Sequence, residues 1–428
     1  MLALLAVTPW LLFPGGGRQV ALIVLPGLWI GNRLVTGHYI PRTPYDVIIL
    51  GLLVMVLVSL YATYDIAVSL PKITGVLLGV SAFYVVVGFI HAPKQLYQVL
   101  IVVLLGVAIF LGVVFVGSSW GNKIAVLQQL SARLPSFLRG LPGADAGFHP
   151  AEVGGTLTWL VFMPAAVAIG LWAQRKSRRV WPWLIGLSVL TGALLLALLL
   201  TQSRSAWLGV AAGAVVLLWL QGRWGRVALG VGVAIVLIGV ALGVPSRLMS
   251  NGGPSSTSVT DQAVFDPSLV DRTEIWSRAI YGLQDFPFTG MGLGTFRYVL
   301  PVLYPLFSVS PDVDLGHAHN EWLQAGVDLG LAGLIAFVAL QGLSVALAYR
   351  AFRMTWPVMV RWLMAGVLAG LVAHSIYGLT DAVALGAKPG VFVWILLGLS
   401  AAVWRLGMAK SFHSSEESSL GQSIQCTA

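Results

Sequence analysis

Apolar runs of about 18 to 25 residues recur along the whole chain, and this feature narrows the possible folds to those that live in a bilayer. Hydrocarbon offers no partner to an unpaired backbone amide, so spanning segments of this length must be helices. Composition agrees, with 57% of residues hydrophobic and only 10% charged. The predicted fold is an all-α polytopic membrane protein of about twelve spans. They fall near residues 2–14, 18–36, 44–62, 70–91, 95–117, 153–173, 180–200, 203–221, 225–243, 320–348, 357–380 and 387–405. The opening run, LALLAVTPWLLF, has neither the basic leader nor the cleavage site of a secretory signal and is expected to belong to the membrane domain.

Charge sets the orientation. The net +9 would suit a nucleic-acid partner in a soluble chain, but here the basic clusters QRKSRR (174–179), GRWGR (222–226) and YRAFRMTWPVMVR (349–361) fall on one side of the span plan. That side is expected to be cytoplasmic, with both termini inside, and no nucleic-acid partner is implied. Residues 1–405 then form the membrane domain, and 406–428 a disordered cytoplasmic tail. The lone cysteine, Cys426, rules out an intrachain disulfide framework and a cysteine-based metal cage.

Two long loops remain on the outer side, 118–152 and 244–319. The second contains DRTEIWSRAIYGLQDFPF, in which Asp271 and Glu274 have capping-box spacing. Trp276, Ala279, Ile280 and Leu283 share one face, predicting about three turns of helix laid against the membrane domain and ended by Phe286 and Pro287.

Polar groups gather at the outer helix ends, while the middles of the spans are mostly free of charge, so no buried proton relay is expected. At 198–209, LLLTQSRSAWLG, Ser203 is placed to cap the departing helix, and Arg204 enters its first turn. An arginine there opposes the helix dipole and suits an anion, although it could equally snorkel to lipid phosphates. Arg272 opens the loop helix, where pairing with Asp271 or Glu274 would make it an ordinary surface charge. GMGLGTF (290–296) lacks the strand and helix of a dinucleotide fingerprint and reads as a tight turn. Asp312 and Asp314 are weak metal-ligand candidates, being two carboxylates in a solvated loop. In HAHNEWLQAGVDLG (317–330), a helix begun at His319 would put His319, Leu323, Gly326, Gly330 and Gly333 on one face, with a neighbouring helix close beneath the histidine. Glu321 and Asp328 would project elsewhere, and His317 would lie in loop, away from that face.

Together, SRSAWLG (203–209), Arg272-x3-Trp276 with the glycine-rich run to 296, and HNEWLQAGVDLG (319–330) resemble the O-antigen ligase and O-antigen polymerase superfamily of bacterial membrane glycosyltransferases. The resemblance implies a GT-C-like inner-membrane enzyme that moves a glycan from an undecaprenyl-pyrophosphate donor to an acceptor hydroxyl on the outer face, without metal or cofactor. It assigns catalysis to Arg204, Arg272 and His319, and donor binding to both arginines with Ser203 and Asn320 beside them. Two guanidiniums suit a pyrophosphate leaving group, and a neutral imidazole suits removal of the hydroxyl proton. No acceptor signature is legible, so a glycan, lipid or protein acceptor stays open. The alternative is a carrier of bicarbonate or another small anion, which would need a site at mid-depth. A scaffold subunit would leave the three residues unconverged.

Overall fold

The computed structural model describes residues 41–121, 123–134, 147–241, 269–309 and 314–425, with Gly27, Ile30 and Leu34 as isolated positions. It is an all-α polytopic membrane protein. The helices are α1 (Asp46–Ala62), α2 (Ile66–Phe89), α3 (Pro93–Gly117), α4 (Ala125–Ser131), α5 (Pro150–Leu160), α6 (Phe162–Trp172), α7 (Trp181–Thr201), α8 (Arg204–Leu220), α9 (Arg223–Ala241), α10 (Leu269–Asp285), α11 (Phe296–Leu303), α12 (Glu321–Arg353), α13 (Val358–Tyr377) and α14 (Val391–Gln425). Ten of the expected spans have a helix within a few residues of the predicted place. The other two, 2–14 and 18–36, fall outside the described residues apart from the isolated positions. Seven of the helical segments are long and apolar enough to cross a bilayer, and α1 and α8 are shorter apolar helices. Helix α14 continues over residues 406–425, where the polar composition predicts disorder.

Helix α13 is the axis of the bundle, packed by α8, α6, α12 and α5. Lipid tails give apolar side chains little reason to prefer one another, so close approach through small residues carries much of such packing. A Cβ on Gly366 or Gly370 of α13 would come within 2.6 Å of the Phe162 carbonyl oxygen or 2.7 Å of the Trp159 carbonyl oxygen. On the opposite side, Gly213 of α8 stands equally close to the carbonyl of Ala369, and Gly209 abuts that of Ala373.

Helix α12 is interrupted at Gly330, whose φ of 71° and ψ of −176° are open in practice only to glycine. A continuous helix would bond the Leu331 amide to the Val327 carbonyl. Here the turn after α10 takes both partners: Leu331 N–H donates to Pro287 O at 2.7 Å, and Met291 N–H donates to Val327 O at 2.6 Å. Both groups of that interrupted bond are therefore satisfied. A Cβ on Gly330 would lie 2.7 Å from that same Pro287 oxygen, and one on Gly290 would lie 2.5 Å from the carbonyl carbon of Asp328. Asp328, 2% exposed, accepts from Gly294 N–H at 3.2 Å and adds a side-chain clasp to the exchange.

The loop helix forms as expected over Leu269–Asp285, but its buried face is Ile275, Ala279 and Gly282, with Trp276 and Leu283 partly covered. Ile280 is exposed. The face is rotated because Glu274 is engaged on another side: its carboxylate accepts from the Phe307 and Ser308 amides at 2.8 Å each and from the Ser308 hydroxyl. In the described structure Glu274 thus holds the chain after α11, and α10 begins two residues before the proposed capping residue Asp271.

Candidate active site

Ser203 caps α8 as expected, its hydroxyl accepting from Ala206 N–H at 3.3 Å, and Arg204 is the first residue of the helix, with an exposed side chain. Just before it, Gln202 adopts a left-handed conformation (φ 51°). Its buried side chain accepts from Ile124 N–H at 2.7 Å and donates to the Gly121 carbonyl, tying the α7–α8 corner to the loop that follows α3.

The helix expected from His319 begins instead at Glu321. Asn320 is its N-cap, accepting from Leu323 N–H at 3.0 Å, while its amide donates to Leu379 O at 3.0 Å. Both ends of Asn320 therefore have structural duties, as does the Ser203 hydroxyl. His319 lies before the helix and Gly330 breaks it, so the shared face drawn through the two does not exist. Gly326 does receive a neighbour closely, its Cβ position 3.3 Å from Leu283 of α10.

His319 has φ 47°, a left-handed conformation uncommon for a residue with a side chain. Its neighbours hold it there. Ala318 N–H donates to Gln324 Oε1 at 2.7 Å, His319 N–H donates to His317 Nδ1 at 3.1 Å, and Trp276 Nε1 donates to His319 O at 3.3 Å. The last bond brings α10 against the histidine, with Arg272 one turn before Trp276.

The turn after α13 gathers the remaining parts. Its Gly378 carbonyl accepts from Glu321 N–H at 2.8 Å, and Thr380 Oγ1 donates to Ser205 Oγ at 2.9 Å, beside Arg204. Asp381, 2% exposed, directs Oδ1 to within 3.4 Å of His319 Nδ1 and 3.9 Å of His317 Nε2. Burial alone would raise the Asp381 carboxyl. The adjacent His319 ring, His317 and the nearby Arg272 guanidinium outweigh it and hold the group down at about 2. Asp381 is thus an anion at neutral pH. Burial, reinforced by His319, pushes His317 down to about 3 against the opposing pull of Asp381, so that ring is neutral.

His319 and Arg272 thus lie at the Asp381 turn, and the first turn of α8, which carries Arg204, is tied to that turn through Ser205. Asp381 is the residue that sequence reasoning missed; the signal available for it was a single acid in the short loop after α13. Lys72, in the second turn of α2, was missed as well. It is partly buried, it packs against the Gly294 position at 3.0 Å, and its charge reaches His317 and Asp328. Its ammonium makes no hydrogen bond or ion pair among the described residues. The proposed separation of Glu321 from His319 holds: the Glu321 carboxylate lies 2.7 Å from Nε2 of the buried His374, whose ring stacks on Trp159 at 3.9 Å.

His317, His319 and Asp381 present ligand-type atoms within 4.8 Å of one another. The tautomers argue against a ready-made metal site. Because His317 Nδ1 accepts an amide proton, the neutral ring carries its own proton on Nε2, the atom facing Asp381. A metal at that atom would require the proton to move to Nδ1 and the hydrogen bond from the His319 amide to be lost. Of the other metal candidates, Asp312 lies outside the described residues, and the exposed Asp314 pairs with Arg297 at 3.3 Å.

No curated protein matches the chain. The family profile described as O-Antigen ligase matches residues 189–338, a stretch running from α7 into α12. That stretch contains Arg204, Arg272, His319 and Gly330, and its match supports placing the chain in the O-antigen ligase and polymerase superfamily.

Proposed function

We propose that the chain is a membrane glycosyltransferase that moves a glycan from an undecaprenyl-pyrophosphate donor to an acceptor hydroxyl at the outer face of the bacterial inner membrane, with both termini in the cytoplasm. The observation that carries this reading is the His319–Asp381 pair, set beside Arg272 and tied through Thr380 to the start of α8.

In this reading Asp381 accepts from His319 Nδ1–H and so leaves Nε2 with its lone pair, the state a general base needs. The acceptor oxygen attacks the anomeric carbon and gives its proton to Nε2. The bond from that carbon to the pyrophosphate oxygen breaks, and undecaprenyl pyrophosphate leaves. Arg204 and Arg272 bind the diphosphate and neutralise the charge that develops on it. Lys72 adds a third cation to the same end, so fixed protein charge takes the part that a divalent ion plays elsewhere. His317 is a positioning residue: neutral throughout the working range, it accepts the His319 amide and keeps that backbone in its left-handed conformation.

The direct test is transfer by the purified, reconstituted protein from a lipid-pyrophosphate glycan to candidate acceptors. Product formation that disappears in Arg272→Ala and His319→Ala, with both variants folded, is expected. Donor consumption by neither wild type nor variants, with bicarbonate flux across the vesicle wall, would overturn the reading in favour of a carrier.

A further inference from the structure

The short helix α11 stands outside the proposed chemistry, yet its pattern is sharply two-sided. Phe296 and Leu300 are buried against α10, while Tyr298, Val302 and Leu303 are exposed, Val302 to 77%. An exposed apolar face on a soluble surface would be a liability, but a bilayer lies alongside. Helix α1 displays its own exposed stripe, Val47, Leu50, Val54, Leu57 and Tyr61, the spacing of a lipid-facing surface. The stripe does not stop at the end of α1. Tyr61 leads to Tyr64 in the next turn, and the Tyr64 ring meets Tyr298 of α11 edge to face, with centroids 5.8 Å apart. The loop before α11 is held at the same corner, a Cβ on Gly292 falling 2.9 Å from the Thr63 backbone.

We infer that the exposed face of α11 lies in the headgroup region of the leaflet at the site's end of the bundle, continuing the lipid-contacting surface of α1. Three features favour lipid over a protein partner. The surface is continuous with one that already faces lipid, tyrosines stand at the junction where aromatic belts form, and Val302 and Leu303 project beyond them. The consequence is positional. Because α11 directly follows the turn that exchanges hydrogen bonds with α12, anchoring it to lipid holds that turn, and the site end of α12 with it, at a fixed height above the bilayer.

The inference depends on the spanning helices and not on glycan transfer, so its test uses no donor. In a Cys426→Ser background reconstituted into phospholipid vesicles, a nitroxide at Val302→Cys is compared with one at Leu57→Cys, on the lipid-facing stripe, and one at Gln284→Cys, on the exposed side of α10. Power saturation with oxygen and a water-soluble nickel chelate then reports depth. The expected result places the Val302 label at the boundary of headgroups and acyl chains, shallower than the Leu57 label and with nickel accessibility well below that at Gln284. Nickel accessibility equal to that at Gln284 would overturn the inference. If Val302→Cys fails to fold, Tyr298→Cys carries the same expectation and the same refutation.

Discussion

The Nδ1 atom of His319 lies 3.4 Å from Oδ1 of Asp381, within ion-pair distance, with both side chains almost fully buried. A histidine so placed presents one nitrogen to a carboxylate and leaves the other available. Replacing Asp381 by Asn preserves size but removes the charge that steadies the imidazolium formed when the base takes a proton. The expected loss in kcat is on the order of 10² or more, with donor KM little changed. An Asp381→Asn enzyme of normal kcat would remove the orienting role.

The pH profile follows from the same pair. A base must be neutral, so kcat/KM is expected to rise with pH along a single acid limb. Neither Asp381, held at about 2, nor His317, held at about 3, changes charge above about pH 4, so neither produces that limb. A rate that falls as pH rises through the same range would instead make His319 a cationic clamp on the diphosphate. The lowered Asp381 group also makes a stability prediction. Its contribution is complete above its ordinary value of 3.8 and is lost as pH falls through about 2.

His317→Asn and His317→Gln separate the two ring nitrogens. Asn carries an acceptor near the Nδ1 position, where the His319 amide is received, and Gln reaches toward the Nε2 position instead. Retention of most of kcat by Asn, with roughly tenfold or greater loss in Gln and Phe, is expected. If Phe serves as well as Asn, the ring only fills space. Sequence places His317 in loop away from the His319 face, but the ring centroids of the two histidines are 4.4 Å apart and both face Asp381.

Substitution by lysine at Arg204 or Arg272 is expected to lower kcat/KM by about 10² or more, since a point ammonium cannot reproduce a planar fork on a diphosphate. Lys72→Met is expected to raise donor KM by roughly tenfold with a smaller effect on kcat, as removal of one cation from a diphosphate site should. Full activity in both arginine variants would show that charge alone matters, and an unchanged KM in Lys72→Met would take Lys72 out of the site. Transfer should be insensitive to EDTA; a loss reversed by Mg2+ would bring Asp314 and its neighbours back as ligands.

Gly330→Ala is expected to destabilise the fold by about 1–3 kcal/mol from backbone conformation alone, with further cost from the contact to Pro287 O. The measurement is the apparent Tm in detergent, which should fall by a few degrees. Gly342→Ala, in the same helix with nothing near its Cβ position, is the control and should be neutral or better. Equal Tm in both would show that the break in α12 is optional.

The spans were legible in the sequence because the property that makes them is local: an apolar stretch long enough to cross a bilayer has few alternatives to a helix. The Ser203 cap and the placement of Arg204 in the first turn were legible for the same reason, since a cap acts over three residues. What the sequence could not disclose were relationships closed across long separations. The apolar run from Leu329 onward reads straight through Gly330 as one helix, and only the arrival of the 287–291 turn supplies new partners to the Leu331 amide and the Val327 carbonyl at the break. A single aspartate in a short loop after α13 looks like any surface acid until the packing of α13 against α8 and α12 carries it beneath two histidines. Hydropathy determines which segments enter the membrane, because transfer free energy depends on each segment by itself. Which polar ends meet is decided by how those helices pack, through contacts that no single segment contains.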